Sequence, residues 1–259
     1  MLLAVDVGNS ETTVGLFRGD ALEASWRVTT GVERTPDEWA ALLTSYFSQS
    51  GRSTHEVRAA IIASVVPAVT GELAAAIHQA CGVTAAEVTP QSPLPVTLDV
   101  EEPRTVGADR IVNTLAAHAL YGRDTIVVDF GTATTFDCVT ADGRFIGGVI
   151  APGIRTAADT LIRNTAKLPA TALTAPSKAL GRRTEDCIRS GVVFGAADAA
   201  GGIVRRLIAE WPGGGTPHVV ATGGLAETIA PLVPEIEVVE PSLTLVGLKL
   251  AARHLKLTP

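Results

Sequence analysis

The sequence predicts an α/β protein made of two similar halves with a cleft between them, and three observations carry that prediction. First, residues 2–17 (LLAVDVGNSETTVGLF) and 125–139 (TIVVDFGTATTFDCV) repeat one pattern: an apolar run, Asp-x-Gly, small polar residues, then a second apolar run. Aligning Asp6 with Asp129 also aligns Val5 with Val128, Gly8 with Gly131 and Thr12 with Thr135. Second, each copy reads as a buried strand, a tight Gly-containing turn and a return strand, hence a β-hairpin rather than a strand-to-helix turn. Third, the copies lie about half the chain apart, and the stretch after each copy alternates between strand-like runs and helical spacing.

Behind the first hairpin, Trp39, Leu42, Leu43, Tyr46 and Phe47 recur at helical spacing after Pro36-Asp37, which predicts a helix over 36–50. Residues 57–66 (VRAAIIASVV) read as a buried strand, succeeded by Pro67 and a helix through 70–80. Four prolines in 90–106 predict an irregular connection. A helix begins near Asp109 with Ile111, Val112, Leu115, Ala116 and Ala119 on one stripe. Downstream come one or two helices over 184–210, a surface turn at Pro212–Gly215, a strand at His218–Thr222 ending in Gly223-Gly224, and a last helix over Ser242–Leu255. The expected boundary lies between the helix after Asp109 and the second hairpin, giving halves of 1–118 and 119–259.

Composition narrows the function. The chain has 259 residues, a net charge of −6 and 4% aromatic residues, so the core is built mainly from Ala, Val, Leu and Ile. The acidity argues against a nucleic-acid surface, which shows a clustered basic face. Cys81, Cys138 and Cys187 form neither a CxxC pair nor an even-numbered framework, and reduced thiols in a cytoplasm fit them best. Asp6 comes too early for a signal-peptide apolar region, and no uncharged apolar run approaches the ~18–20 residues a bilayer requires, so no membrane partner is expected. His55, His78, His118, His218 and His254 make no ligand-spaced pair. Neither Ser-x-x-Lys nor Gly-x-Ser-x-Gly is present, which leaves nucleophilic hydrolase chemistry without support.

The two turns carry the chemistry. At Asp6-Val7-Gly8-Asn9-Ser10, glycine lets the backbone approach a ligand and the amides near Asn9 and Ser10 can form an anion-binding concavity. Asp6 suits polyphosphate only if Mg²⁺ lies between them, through water, since magnesium keeps waters and takes one or two carboxylates. The second turn, Asp129-Phe130-Gly131-Thr132-Ala133-Thr134-Thr135, adds hydroxyl and amide donors without charge. Two such turns, one per half, can grip both ends of a polyphosphate. Ala221-Thr222-Gly223-Gly224 allows close packing of a flat ligand such as adenine. Asp109 opens an amphipathic helix, where a carboxylate can serve as a cap or dipole partner.

DVGNS, DFGTATTFD and ATGG, in that order, resemble the phosphate and adenosine motifs of the acetate kinase/sugar kinase/Hsp70/actin superfamily. With Gly107-Ala108-Asp109-Arg110-Ile111-Val112-Asn113, the chain resembles the type III pantothenate kinase family. Gly147-Gly148-Val149-Ile150-Ala151-Pro152-Gly153, Leu180-Gly181 with Thr184, and Pro241–Leu245 with Gly247-Leu248 fall in that family's order, so the likeness spans essentially the whole chain. It implies two ribonuclease H-like halves in a duplicated actin/hexokinase-like fold, and ATP-dependent phosphorylation of pantothenate to 4'-phosphopantothenate, the first step of coenzyme A biosynthesis. It assigns ATP and phosphate contacts to Asp6, Val7, Gly8, Asn9, Ser10, Glu11, Thr12, Thr13, Gly131, Thr132, Ala133, Thr134, Gly223 and Gly224. Pantothenate contacts fall to Val100, Gly107, Ala108, Asp109, Arg110 and Thr184. Asp109 is the implied general base, Asp129 the implied ligand of a monovalent cation (K⁺ or NH₄⁺), and Asp6 the carboxylate nearer Mg²⁺. Thr184 matches a position supplied across a dimer interface, implying a homodimer.

Three positions depart from the family pattern. Glu11 stands where an amide is usual, Val100 where a tyrosine is common, and Arg183 where an asparagine often precedes Thr184. They leave two other readings open: another phosphotransferase or a phosphatase on the same fold, and a catalytically silent regulatory homologue. Retention of Asp6, Asp109 and Asp129 weighs against silence.

Overall fold

A computed structural model describes residues 1–165 and 168–257. The fold is mixed α/β and duplicated, with two compact units: Met1–Ala119 joined by the chain from Leu243 onward, and Leu120–Ser242.

The first unit is a five-stranded sheet in the order β3-β2-β1-β4-β5, from β1 (Leu2–Val7), β2 (Glu11–Arg18), β3 (Ala21–Thr29), β4 (Ala59–Ser64) and β5 (Ala85–Glu87). β1 pairs antiparallel with β2 and parallel with β4. Central strands with both faces covered must be apolar throughout, which accounts for the continuous runs in β1 and β4. Helices α1 (Pro36–Gln49) and α2 (Pro67–Cys81) cover one face, where Trp39, Leu43, Phe47, Leu73 and Ile77 pack on Leu3, Val5 and Ile62. Thr35 and Glu38 cap α1 reciprocally, and Pro36 takes the first helical position, where its missing N–H costs nothing. A two-residue strand β6 (Thr97–Leu98) lies in the expected irregular stretch and leads into α3 (Ala108–Tyr121).

The second unit repeats the plan. β7 (Thr125–Phe130), β8 (Ala133–Val139) and β9 (Arg144–Pro152) form an antiparallel run. β10 (His218–Thr222) pairs parallel with β7, and β11 (Val238–Val239) pairs parallel with β10. The order β9-β8-β7-β10-β11 is therefore the counterpart of β3-β2-β1-β4-β5. Helices α4 (Ile154–Arg163), α5 (Thr184–Ala209) and the short α6 (Ala226–Ile229) complete it. Val193, Ala197 and Val204 of α5 pack on Ile126, Val128 and Val219 of the sheet. α5 is a single helix, long and apolar enough by composition to cross a membrane. Here one side of it packs on the sheet, and Asp198 stands at mid-length.

The last helix, α7 (Leu243–His254), differs from the expected division, because it packs in the first unit rather than the second. Two glycines account for this. A Cβ on Gly247 would run into the Val112 carbonyl of α3, and a Cβ on Gly15 would lie 2.9 Å from Leu245 Cδ1. α7 thus fits closely against the α3 backbone at Gly247, and its Leu245 side chain seats on β2 at Gly15. Thr244 Oγ1 donates to Asn113 Oδ1 at 2.9 Å, joining the two helices again inside the GADRIVN segment. At the surface Asp20 accepts from Lys249 and Arg253, and these cations hold its carboxyl down at about 2.

Candidate active site

The elements of the site occupy the carboxyl ends of the parallel strands, where α/β sheets place ligands. In the first unit β1 ends at Asp6 and Val7, and the turn through Gly8, Asn9 and Ser10 leads into Glu11. Gly8 donates to the Glu11 carbonyl at 3.1 Å, and a Cβ on Gly8 would sit 3.0 Å from that oxygen, so the turn closes tightly around glycine. Asn9, Ser10 and Glu11 are exposed, Asp6 and Thr13 half-buried and cross-strand neighbours. Thr12 differs in kind. Its hydroxyl is buried and shares a 2.8 Å hydrogen bond with that of Thr30, so it fastens the turn to the chain after β3.

Val65 links the GADR segment to the end of β1. Val65 comes directly after β4 and donates to the Val7 carbonyl at 3.1 Å; its Cγ1 would lie 3.3 Å from a Cβ on Gly107. That same Cβ would overlap Asp109 Oδ1, so glycine at 107 lets the carboxylate fold back over the start of α3. There Oδ1 accepts from the Arg110 amide at 2.8 Å. Burial raises the Asp109 pKa, against the opposing pull of the Arg110 amide and guanidinium. A desolvated carboxylate at a helix start is a stronger base than the same group in water, and the helix N-terminus offsets part of its cost. Ala108 is buried; Arg110 and Val100 are half-buried. A cavity of about 490 Å³ borders Gly107 and Ala108, with Ser64, Val65, Thr70 and Thr105 among its other walls.

In the second unit the strand ends bring two motifs together. Asp129 is opposite Thr135 on β8 and beside Thr222 on β10. Gly223 continues from β10 at φ +92°, and a Cβ there would overlap Asp129 Oδ1 and lie 2.7 Å from the Phe130 nitrogen. The missing side chain at Gly223 therefore lets the Asp129 turn and the end of β10 touch. Gly131 donates to the Ala133 carbonyl at 3.0 Å, leaving Gly131 and Thr132 exposed, Ala133 half-buried and Thr134 buried. Gly224 is exposed.

Two supports of this turn carry no signal in the hairpin itself. Gly153 precedes α4, and a Cβ on it would overlap the Gly131 and Thr132 carbonyls; Thr156 Oγ1 donates to the Thr132 carbonyl at 2.8 Å. Gly153 stands in the GGVIAPG segment, whereas nothing in the sequence marks Thr156. Thr184 is the exposed first residue of α5 and borders an apolar groove of about 580 Å³ between α4 and α5. The chain before it is pressed onto the helix, since a Cβ on Gly181 would lie 2.5 Å from the Cys187 nitrogen.

The family profile described as type III pantothenate kinase matches residues 2–206. The chain belongs to the type III pantothenate kinase family. A type III pantothenate kinase from Desulfosudis oleivorans is 46% identical over 252 residues, covering 96% of this chain and 98% of that one. One from Thermomicrobium roseum is 45% identical, with 97% and 96% covered. Among solved structures, a Campylobacter jejuni chain assigned to the Baf family of transcriptional activators superposes with a TM-score of 0.60 at 18% identity, covering 98% of each chain. A Sinorhizobium meliloti chain assigned as a 2-dehydro-3-deoxygalactonokinase gives 0.59 at 15% identity, with 98% of this chain and 99% of that one covered. At such identities these two speak for the duplicated fold alone. Membership of the type III pantothenate kinase family makes the chain a kinase.

A cation fits the residues present. Asp6 and Asp129 put half-buried carboxylates at the heads of the two turns. Among the described residues no group of three His, Cys, Asp or Glu forms a closed metal cage. An open site of one carboxylate, completed by water and phosphate oxygens, suits a hard cation such as Mg²⁺.

Proposed function

We propose that this kinase transfers the γ-phosphoryl group of ATP to the primary hydroxyl of pantothenate, the first step of coenzyme A synthesis. The observation that carries the reading is Asp109: a half-buried, desolvated carboxylate whose Oδ1 accepts from the Arg110 amide in the space that Gly107 leaves open, within the family's GADRIVN segment. Asp109 accepts the proton of the attacking hydroxyl. The first turn, from Asp6 to Thr13, and the second, from Gly131 to Thr134, orient the donor's phosphates with backbone amides and exposed hydroxyls, while Gly223 and Gly224 leave room for the nucleoside. Phosphoryl transfer has a loose transition state, so this positioning contributes more than the base. Mg²⁺ supported by Asp6 would neutralise phosphate charge, and a monovalent cation would be held by Asp129. Gly107, Ala108, Arg110 and Val100 border the acceptor, with Arg110 supplying charge opposite its carboxylate.

The same reading makes the working form a homodimer in the cytoplasm. The α4–α5 groove is apolar, and Ile150, Leu161 and Leu180 are exposed on the same unit at 66%, 41% and 84%. A second copy covering that face would bring Thr184 to its partner's acceptor site. ADP release with ATP, Mg²⁺, K⁺ and pantothenate tests the reading. Turnover that needs pantothenate supports it, and turnover indifferent to pantothenate refutes it.

A further inference from the structure

We infer that Thr156 is a positioning residue for the donor-phosphate turn, acting through the Thr132 carbonyl. The role rests on the proposed ATP-dependent reaction and adds a residue that neither the turn motif nor the helix spacing marks. α4 approaches the second hairpin at its first turn. Ile154 and Ala158 are buried in the core of the unit, at 3% and 4% exposure, so the helix start is fixed. Gly153 brings it close enough that a Cβ would overlap both turn carbonyls. Thr156, on the same helical turn, then donates its hydroxyl to the Thr132 carbonyl at 2.8 Å.

Peptide planarity gives this bond its consequence. In a trans peptide the carbonyl and the next N–H point in opposite directions. Holding the Thr132 oxygen toward α4 therefore fixes the Ala133 N–H on the side away from α4. The Gly131 carbonyl also faces Gly153, which fixes the Thr132 N–H in the same sense. Two consecutive amides aligned this way make an anion-binding concavity, and Thr156 sets the aim of one of them. Gly131 and Thr132 are exposed, so the turn is open to a ligand on that side.

The test is steady-state kinetics of the full chain with Thr156→Val and Thr156→Ser, together with thermal unfolding. Valine keeps the shape and loses the donor; serine restores it. The expected result for Thr156→Val is a rise of about 3- to 10-fold in KM for ATP, the range one net hydrogen bond supports. KM for pantothenate should stay within about 2-fold, and Thr156→Ser should return KM for ATP toward the original value. An unchanged KM for ATP, a parallel rise in both KM values, or failure of serine to restore would overturn the role. A valine variant that unfolds is replaced by the serine-to-alanine comparison at the same position, read by the same split. An unaltered chain with no ATP-dependent turnover would overturn the kinase reading itself, and this role with it.

Discussion

Asp109 carries opposing demands, since burial disfavours its charge while a general base has to be charged. Burial raises its pKa above the ordinary 3.8, and the Arg110 amide and guanidinium limit the rise. The acid limb of kcat/KM should therefore lie above that of an ordinary carboxylate, which a pH–rate profile measures. The stability effect has the opposite sign from the usual carboxylate. A folded-state pKa above the unfolded one means the native chain binds the proton more tightly. That contribution is fully present below the unfolded pKa and is lost as pH rises through the folded one. Asp109→Asn is accordingly expected to lower turnover by about 10²–10⁴-fold. Its thermal midpoint at neutral pH should be unchanged or higher, and that advantage should shrink as pH falls toward the ordinary carboxylate range. A midpoint that drops at neutral pH would mean the ionised carboxylate stabilises the fold.

At the scale of elements, glycines decide which strands and helices can touch. Gly223→Ala places a Cβ against Asp129 and the Phe130 backbone at positive φ, and should cost about 1–3 kcal/mol in urea unfolding. Gly247→Ala should cost a similar ~1–3 kcal/mol by driving α7 from α3. Gly71 in α2 is the contrast: its Cβ would meet nothing within 4 Å, so Gly71→Ala should gain about 0.5–1 kcal/mol of helix propensity. These contacts also separate the legible elements from the hidden ones. Both hairpins, the strand at β4, the helices at α1 and α3 and the Gly-Gly step after β10 arise from local periodicity and turn chemistry, which a single sequence displays. The third strand of each antiparallel run is harder to see, because β3 and β9 are largely half-buried or exposed and lack a continuous apolar run. α4 has few buried residues, and Thr156 matters through a contact 24 positions away, which no local pattern encodes. The placement of α7 likewise depends on Gly15 and Val112, both far from it in sequence.

At the scale of the whole molecule, duplication gives each unit a strand with aspartate before its last residue, a glycine turn and a parallel neighbour, and of the three departures from the family pattern Glu11 alone falls within that frame. Glu11 is exposed at the head of β2, and Val100 is half-buried in the loop before α3. Self-association is the further claim at this scale. Leu161→Asp in the α4–α5 groove should shift the sedimentation coefficient from dimer to monomer and depress pantothenate turnover, since Thr184 would lose its partner site. Unaltered sedimentation would place the interface elsewhere. ADP release from purified protein with ATP, Mg²⁺ and K⁺, with and without pantothenate, measured beside Asp109→Asn, decides the reaction. Pantothenate-dependent release is expected, lowered about 10²–10⁴-fold by the substitution and weakened when Na⁺ replaces K⁺. Folded, nucleotide-binding protein that releases no ADP with pantothenate, or an Asp109→Asn variant as active as the original, would contradict it.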